Sequence, residues 1–579
     1  MTRSLFVLLI LSTVFFLCIP ACSNRAVNPA TEAGKIISET TLVATQTVTF
    51  AKITQTSKPS TTMATKQPEP VTIWPCDCLP DGYLSALEIK EPFVITAIEA
   101  GSTYEIIPTD KDEAGNGYVR SHWVYLLTAP FPTVQDSVNF TQLKNTWLKN
   151  SWTTDIVNTL LVSQSTFEVF SRLWGKPDPE VVKILPSSEL LQTAWGETNA
   201  WAIIPFEEID PRWKIIRINN ISPLDSNFDL DGYPLTVQFD LVKTEAGDLE
   251  FSHNQQESLV VPASNFVPEK LTSLIMTGTT ALVRYVALKI EKNGVLYPAR
   301  DIVHILKDAD ITHISNEVSF WEDCPSANPV RLEQRFCSDP SYFQLMEYID
   351  ADVIELTGNH ILDWGSEPFL ATLQMYQDND LPYFGGGRNI SEAAQPLTLQ
   401  DGPQSITFIG CSPAGPEEVW ADEDSPGSNP CTDGWMETQV NNALEAGSIP
   451  VVTFQHFEVE DYTPHSSQRI DFLDAAEMGA AIVSGSQSHF AQTMTFVGDR
   501  FVHYGLGNLF FDQMYGENPH EFVDRHYFYD GKYISTELIT LMLEDASKPR
   551  LVTTSEREAF LQTIFERCNW ETAFAVETE

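Results

Sequence analysis

The sequence predicts a layered α/β protein with two folded parts behind an exported, tethered N-terminus. Three observations carry that prediction. From about residue 71 to 545, apolar runs of strand length alternate with helix-like segments, the pattern of sheets covered by helices. The 579 residues are 43% apolar, enough for more than one core. Near residue 70 a Thr-, Ser- and Pro-rich composition gives way abruptly to that alternation.

In chain order, residues 1–21 read as a signal segment. Arg3 is followed by "SLFVLLILSTVFFLCIPAC", an apolar run with the length and flanks of a secretory signal. The run ends in Ile19-Pro20-Ala21-Cys22, which resembles a bacterial lipobox. That resemblance implies lipidation of Cys22 and an extracytoplasmic protein anchored to a bacterial membrane. Residues 22–70 include "TLVATQTVTF" and "TQTSKPSTTMATKQPEP", a composition that cannot bury a core and reads as a disordered tether.

Residues 71–250 read as an N-terminal α/β domain. Strand-like "SHWVYLLTAPF" and "NAWAIIPFEEI" alternate there with helix-like "FTQLKNTWLKN" and "STFEVFSRLWG". The stretch "WAIIPFEEIDPRWKIIRI" is similar to the ligand domains of solute-binding proteins, in pattern and not in any chemical motif. Residues 270–545 form a second unit, and 546–579 read as a C-terminal extension. In the second unit "LTSLIMTG", "ADITHISNE", "ADVIELTGNH", "LPYFGGGRN", "SITFIGC", "IPVVTFQHFE", "AAIVSGSQSH" and "FVHYGLGNLFF" follow in order. Each is an apolar run ending in polar or glycine-rich residues, and helices such as "PFLATLQMYQDN" lie between several of them. Strands alternating with helices predict a parallel or mixed sheet, whose strand ends gather on one edge where ligands bind.

Charge narrows the function classes. Asp and Glu total 79 against 35 Lys plus Arg, a formal net charge of −44. A nucleic-acid partner needs a basic footprint and is excluded on that ground. A polyanionic partner would need a local cation. Beyond Cys18 and Cys22, seven cysteines remain. Cys324/Cys337 and Cys411/Cys431 are close in sequence and bracket loop-like stretches, so local bridges are expected, with at least one free thiol left over.

The strand-end residues of the second unit include Asn316 and Glu317, Asn359, His360 and Asp363, His456, and Gln487 and His489. A carboxylate, amide oxygens and imidazoles on separate strand ends suit one Mn²⁺, Fe²⁺ or Zn²⁺ ion. Gly386, between Gly385 and Gly387, and Arg388 offer backbone N–H groups and a cation to an anionic group. Asn508 can reach the same edge. Each has a plainer reading: asparagines as turn formers or helix caps, histidines as core residues, the glycines as a tight turn.

The stretches "HISNEVSF", "TGNHILDWG", "FGGGRN", "VVTFQHFEVEDYTPHSSQ", "GAAIVSGSQSHFAQ" and "FVHYGLGNLFFDQ" make residues 271–515 resemble the CapA family of bacterial capsule (poly-γ-glutamate) synthesis proteins. The resemblance implies a calcineurin-like metallophosphoesterase sandwich, its sheets flanked by helices. It also implies metal ligation by Glu317, Asn359, His456 and His489, catalysis by His360 oriented by Asp363, and substrate contacts from Asn316, Gly386, Arg388, Gln487 and Asn508. Two departures stand out. The family usually opens its first strand with Gly-Asp, whose Asp is a metal ligand, where this chain has Gly278-Thr279. Its histidine-rich loop reads roughly Gly-His-His-Pro-His, where this chain has Gly485-Ser486-Gln487-Ser488-His489. Two expectations therefore stand side by side. One is a metal-dependent hydrolase acting on an envelope polymer or small anionic substrate. The other is a non-catalytic polymer- or ligand-binding protein with a degenerate site.

Overall fold

The computed structural model describes residues 70–574, except 110–117, 150–156, 246, 248–256, 331–333, 514, 515 and 517. The signal segment, Cys22 and the tether lie outside the described residues. Residues 68–579 form one compact unit. No helix among the described residues is long and apolar enough to cross a membrane.

The N-terminal part is built on a nine-stranded sheet. Val71–Pro75 pairs in parallel with Phe93–Ile95 and Tyr104–Thr109, and Thr159–Val162 pairs in parallel with Val182–Ile184 and Ala200–Pro205. The antiparallel strands Arg120–Pro130 and Thr236–Lys243 join these two parallel halves. Helices such as Gln164–Trp174 cover it, and the core is aromatic-rich, with Tyr83, Tyr125, Trp147, Phe170 and Trp201 buried.

Residues beyond about 270 fold as a sandwich of two sheets with helices outside. The first sheet runs Tyr383–Phe384, Val353–Glu355, Ile311–Asn316, Leu271–Thr277, His520–Tyr529, Lys532–Glu544, Lys548–Leu551, and Thr279–Thr280 and Asn508–Phe510 attach at one end. The second runs Leu397–Asp401, Gln404–Cys411, Ile449–Gln455, Ile482–Ser486, Arg500–His503, Met494–Val497. Leu274, Met276, Ile311 and Val353 of the first sheet meet Ile406, Phe408, Ile449, Val451 and Ile482 of the second. Helices Arg284–Asn293 and Ser366–Asp378 cover the outer face of the first sheet, and Trp435–Glu445 and Ser466–Glu477 that of the second. In Ser366–Asp378 the buried Phe369, Leu373 and Tyr376 repeat at helical spacing, and each full burial is worth about 1.5–3 kcal/mol. This architecture is the expected sandwich of sheets flanked by helices.

The two parts share packing. Phe131, just past strand Arg120–Pro130, inserts its ring 5.0 Å from Phe496 and 5.4 Å from Phe501. Asp136 accepts two hydrogen bonds from Arg557, at 2.7 and 2.8 Å. The residues after 545 are no mere extension. Lys548–Leu551 completes the first sheet, and Phe560, Leu561 and Ile564 of helix Thr554–Phe565 enter the inter-sheet core. Cys324–Cys337 and Cys411–Cys431 are bridged as expected. Cys76–Cys78 is a third bridge, and Cys568 is free.

Candidate functional site

Strands Leu271–Thr277, Ile311–Asn316, Val353–Glu355 and Tyr383–Phe384 are mutually parallel, as are Gln404–Cys411, Ile449–Gln455, Ile482–Ser486 and Arg500–His503. Their carboxyl ends bring several expected residues to one edge. Glu317 follows the end of Ile311–Asn316, and its backbone N–H bonds to the Thr280 carbonyl at 2.9 Å. Asn359 and His360 follow Val353–Glu355. Gly358 lets that loop close down, because a Cβ there would lie 2.7 Å from the Glu317 Cα. Gln487 and His489 follow Ile482–Ser486 in the left-handed region, with φ of 75° and 50°. Glycine is the ordinary occupant of that conformation, so the loop holds both side chains inward against a local backbone cost.

At the centre sits Gln455, the last residue of its strand. Its Nε2 donates to Glu317 Oε1 at 3.1 Å, to Asn359 Oδ1 at 3.1 Å, and to Gln487 Oε1 at shorter range. The Gln487 backbone N–H donates to Thr279 Oγ1 at 3.4 Å. Thr279 and Gln487, the two positions where this chain departs from the CapA pattern, are therefore direct neighbours. His489 lies beside the cluster, its Nε2 4.0 Å from Glu317 Oε1. Its Nδ1 donates to Asn508 Oδ1 at 2.9 Å, because the Asn508 amide nitrogen is committed to the carbonyls of His489 and Gln513. Asn508 thus orients His489. Nε2 of that ring is left as the lone-pair nitrogen.

His360 forms the half-buried mouth. Its Nδ1 lies 2.9 Å from Asp363 Oδ2, and Asp363 Oδ2 also accepts from the Phe336 N–H at 2.7 Å. The ring packs on Phe336, with centroids 4.8 Å apart. Arg335 donates to the Asp363 carbonyl at 2.9 Å and lies over Trp364.

The electrostatics follow from burial. Burial pushes the Glu317 carboxyl up to about 7, against the pull of His360 and the Gln455 donor. Its Oε2 is buried with no hydrogen-bond partner. Burial drives His489 down to about 3, so that imidazole is neutral. His360 goes the other way: burial lowers it, but the Asp363 hydrogen bond and the charges of Glu317, Asp363 and Glu458 outweigh burial and raise it.

Four expected residues lie apart from this cluster. His456 turns toward helix Ser466–Glu477 and bonds Asp471 Oδ2 through Nε2 at 2.8 Å. Asn316 turns toward helix Ser366–Asp378 and donates to the Tyr376 hydroxyl at 2.9 Å. Arg388 directs its guanidinium to Glu392, Tyr383 and Gln377. Gly386 is paired with Ser428 in a two-stranded ribbon, where a Cβ would meet the Leu356 carbonyl at 2.7 Å. Of these, Asn316 and His456 sit next in sequence to residues that do enter the cluster. Gln455 itself escapes the sequence reading, although it ends an apolar run as the other strand-end residues do.

A divalent metal does not fit these residues as they stand. The point on which Glu317, Asn359 and Gln487 converge is filled by the chain's own carboxamide nitrogen. The cluster's carboxyl is Glu317 alone. No group of three or more His, Cys, Asp or Glu among the described residues is arranged to hold an ion. What the arrangement can do is bind. It presents a protonatable acid, amide groups and an imidazole of raised pKa at an aromatic-walled mouth.

Comparison with known proteins agrees with the motifs. Residues 273–513 match the family described as bacterial capsule synthesis protein PGA_cap. The capsule biosynthesis protein CapA of Bacillus anthracis is 22% identical over 306 residues, 52% of this chain and 74% of that protein. The PGA biosynthesis protein CapA of Bacillus subtilis (strain 168) is 21% identical over 248 residues, 42% of this chain and 64% of that protein. Among solved structures, a 5'-nucleotidase precursor from Thermus thermophilus is similar at a TM-score of 0.26 and 12% identity, over 51% of this chain and 58% of that one. At that level the structural likeness has no bearing on the site. The family match, the two relatives and the ordered motifs agree: residues 273–513 are similar to the bacterial capsule synthesis protein family PGA_cap and to the two CapA proteins.

Proposed function

We propose that this chain acts in capsule or envelope polymer synthesis, export or processing as a lipid-anchored, extracytoplasmic protein that binds a polymer of the poly-γ-glutamate type. Binding takes place at the sheet edge around His360 and Asn359 and needs no metal. The observation that carries this reading is Gln455. Its amide occupies the point where the edge oxygens converge, so the chain's own side chain fills the place an ion would take. The family relationship supports the polymer class. The raised pKa of His360 favours a protonated imidazole at the mouth, a hydrogen-bond donor for a carboxylate of an anionic polymer.

The competing reading is a metal-dependent hydrolase, and the His360–Asp363 pair is what favours it. The test separates the two. The full chain is titrated with poly-γ-glutamate in a calorimeter, before and after exhaustive chelation, and the polymer's length is followed by gel filtration. Equal affinity in both states, no shortening, and weakened binding in His360→Ala and Asn359→Ala support binding. Polymer shortening that chelation abolishes, or no polymer binding at all, overturns the proposal.

A further inference from the structure

Phe336, the wall of the His360 mouth, also lines a second pocket, of about 430 Å³ and open to solvent. The bridged Cys324 and Cys337 and residues 325–328 form one side of it, and Arg284 and Arg335 complete it. In a chain of net charge −44, the described lining of this pocket holds two guanidiniums and no carboxylate. Aromatic rings hold both guanidiniums in place. That of Arg335 lies 4.5 Å from the Trp364 ring centroid, and that of Arg284 lies 4.8 Å from the Phe511 centroid and 5.5 Å from that of Phe336. Among the described residues, Arg335 donates from Nε alone, to the Asp363 carbonyl at 2.9 Å. Arg284 donates from Nε and Nη2, both to Asp512, which balances its charge. Both Nη atoms of Arg335 and Nη1 of Arg284 are left without a hydrogen-bond partner among the described residues, and Arg335 without a carboxylate partner. The Glu291 carboxylate near the pocket is taken by the Ala327 N–H, at 3.0 Å.

One residue ties this pocket to the mouth. Asp363 holds His360 through its carboxylate, 2.9 Å from Nδ1, and Arg335 through its carbonyl oxygen. The same carboxylate accepts from the Phe336 N–H at 2.7 Å. The imidazole and the Arg335 guanidinium are thus set beside each other on one anchor. A guanidinium fork matches a carboxylate in plane and spacing, and such a charge-assisted pair is stronger than a neutral one. The pocket is at the low end of small-ligand sites in size, with room for one acidic side chain of a polymer. We infer that Arg335 and Arg284 form a second carboxylate subsite, so that neighbouring carboxylates of one anionic polymer are held at His360 and in the arginine pocket. Arg335 brings the uncompensated charge and Arg284 one further donor. The inference rests on the polymer-binding reading given above. It adds the residues that make the site prefer a chain of carboxylates to a single one.

The experiment titrates the full chain by calorimetry with a short γ-linked glutamate oligomer and with free glutamate, in the wild type, Arg335→Gln and Arg335→Lys. Arg335 is exposed, so neither substitution disturbs the core, and circular dichroism checks that each variant is folded. The wild type is expected to bind the oligomer at least about tenfold more tightly than glutamate, because the second subsite adds a charge-assisted pair. Arg335→Gln should lose about tenfold for the oligomer and less than about twofold for glutamate. Arg335→Lys keeps the charge without the fork and should fall between the two. A folded Arg335→Gln that binds the oligomer as tightly as the wild type overturns the inference. So does one that loses equally for oligomer and glutamate, the mark of a support for Asp363 rather than a contact. Either result leaves polymer binding at His360 standing. A wild type that binds neither the oligomer nor poly-γ-glutamate overturns the polymer reading itself, and this inference with it.

Discussion

Glu317→Gln is expected to stabilise the protein at pH 8 by about 3 kcal/mol relative to its effect in mild acid. The Glu317 carboxyl is fully buried, and burial raises its pKa from the ordinary 4.5 up to about 7 in the folded chain. Below pH 4.5 it is protonated whether the chain is folded or not, and its contribution to stability is fully present. Between 4.5 and 7 the unfolded chain ionises and the folded chain does not. Above 7 the folded chain must hold a buried carboxylate, so the contribution is lost as the pH rises through the folded value. Each factor of ten in an ionisation constant is worth about 1.4 kcal/mol, which puts the whole loss at about 3 kcal/mol. Between pH 5 and pH 8 the wild type loses about 2–3 kcal/mol of it, and the variant, having no charge to bury, loses none. In a unit of this size that corresponds to a melting temperature lower by on the order of 2 °C. The assay is differential scanning calorimetry of both proteins at the two pH values, read as the variant-minus-wild-type difference at each. Packing changes caused by the substitution are the same at both pH values and cancel. A difference that does not change between pH 5 and pH 8 would refute the reasoning, because it would mean that burial does not hold this carboxyl neutral.

Other substitutions probe the supports of the cluster. Gly358→Ala places a Cβ 2.7 Å from the Glu317 Cα and 2.8 Å from its carbonyl oxygen, backbone atoms that cannot swing aside. Its expected cost is about 1–3 kcal/mol or more in a denaturant melt, together with weaker polymer binding. Asp363→Asn removes the hydrogen bond and charge that hold the His360 pKa up against burial, so the imidazole titration followed by NMR is expected to move to lower pH. An unchanged His360 titration would show that Asp363 does not set its charge. Replacing Cys411 and Cys431 by Ala opens a loop whose ends are 20 residues apart, with an expected loss of about 3 kcal/mol. The wild type in reductant should melt as that variant does.

Much of the fold was legible because apolar runs of strand length ended, one after another, in polar residues. The edge position of Glu317, Asn359, His360, Gln487 and His489 was legible for the same reason, since parallel strands deliver their carboxyl ends to one side. The C-terminal residues were not. "KPRL" and the helix after it carry little apolar periodicity, and their place in the sheet and core depends on contacts with strands far away in sequence. Nor does sequence alone say where Arg388 points. Its partners Gln377, Tyr383 and Glu392 come from a helix, a strand and a second, short helix that only the folded chain brings together.

Strand alternation accounts for both the placement of His456 and the omission of Gln455. In Ile449–Gln455, Ile449 and Val451 face the second sheet's partner across the sandwich, while Val452 and Phe454 face the helix layer. A period of two carries the first row on to Gln455 and the second row on to His456. The imidazole therefore continues toward Phe472 and Asp471 of helix Ser466–Glu477, and the carboxamide enters the edge cluster. Strand Ile311–Asn316 obeys the same rule. Ile311 lies in the inter-sheet core and Ile314 against the helices, so Asn316 points to Tyr376 and the next residue, Glu317, enters the cluster. The phase of the strand thus chooses between the neighbours in each pair, where the chemistry of the side chain alone does not. A motif names the residue type a site is expected to use. The pleat decides which of two adjacent residues can reach it, and here it selects an amide where the motif offers an imidazole.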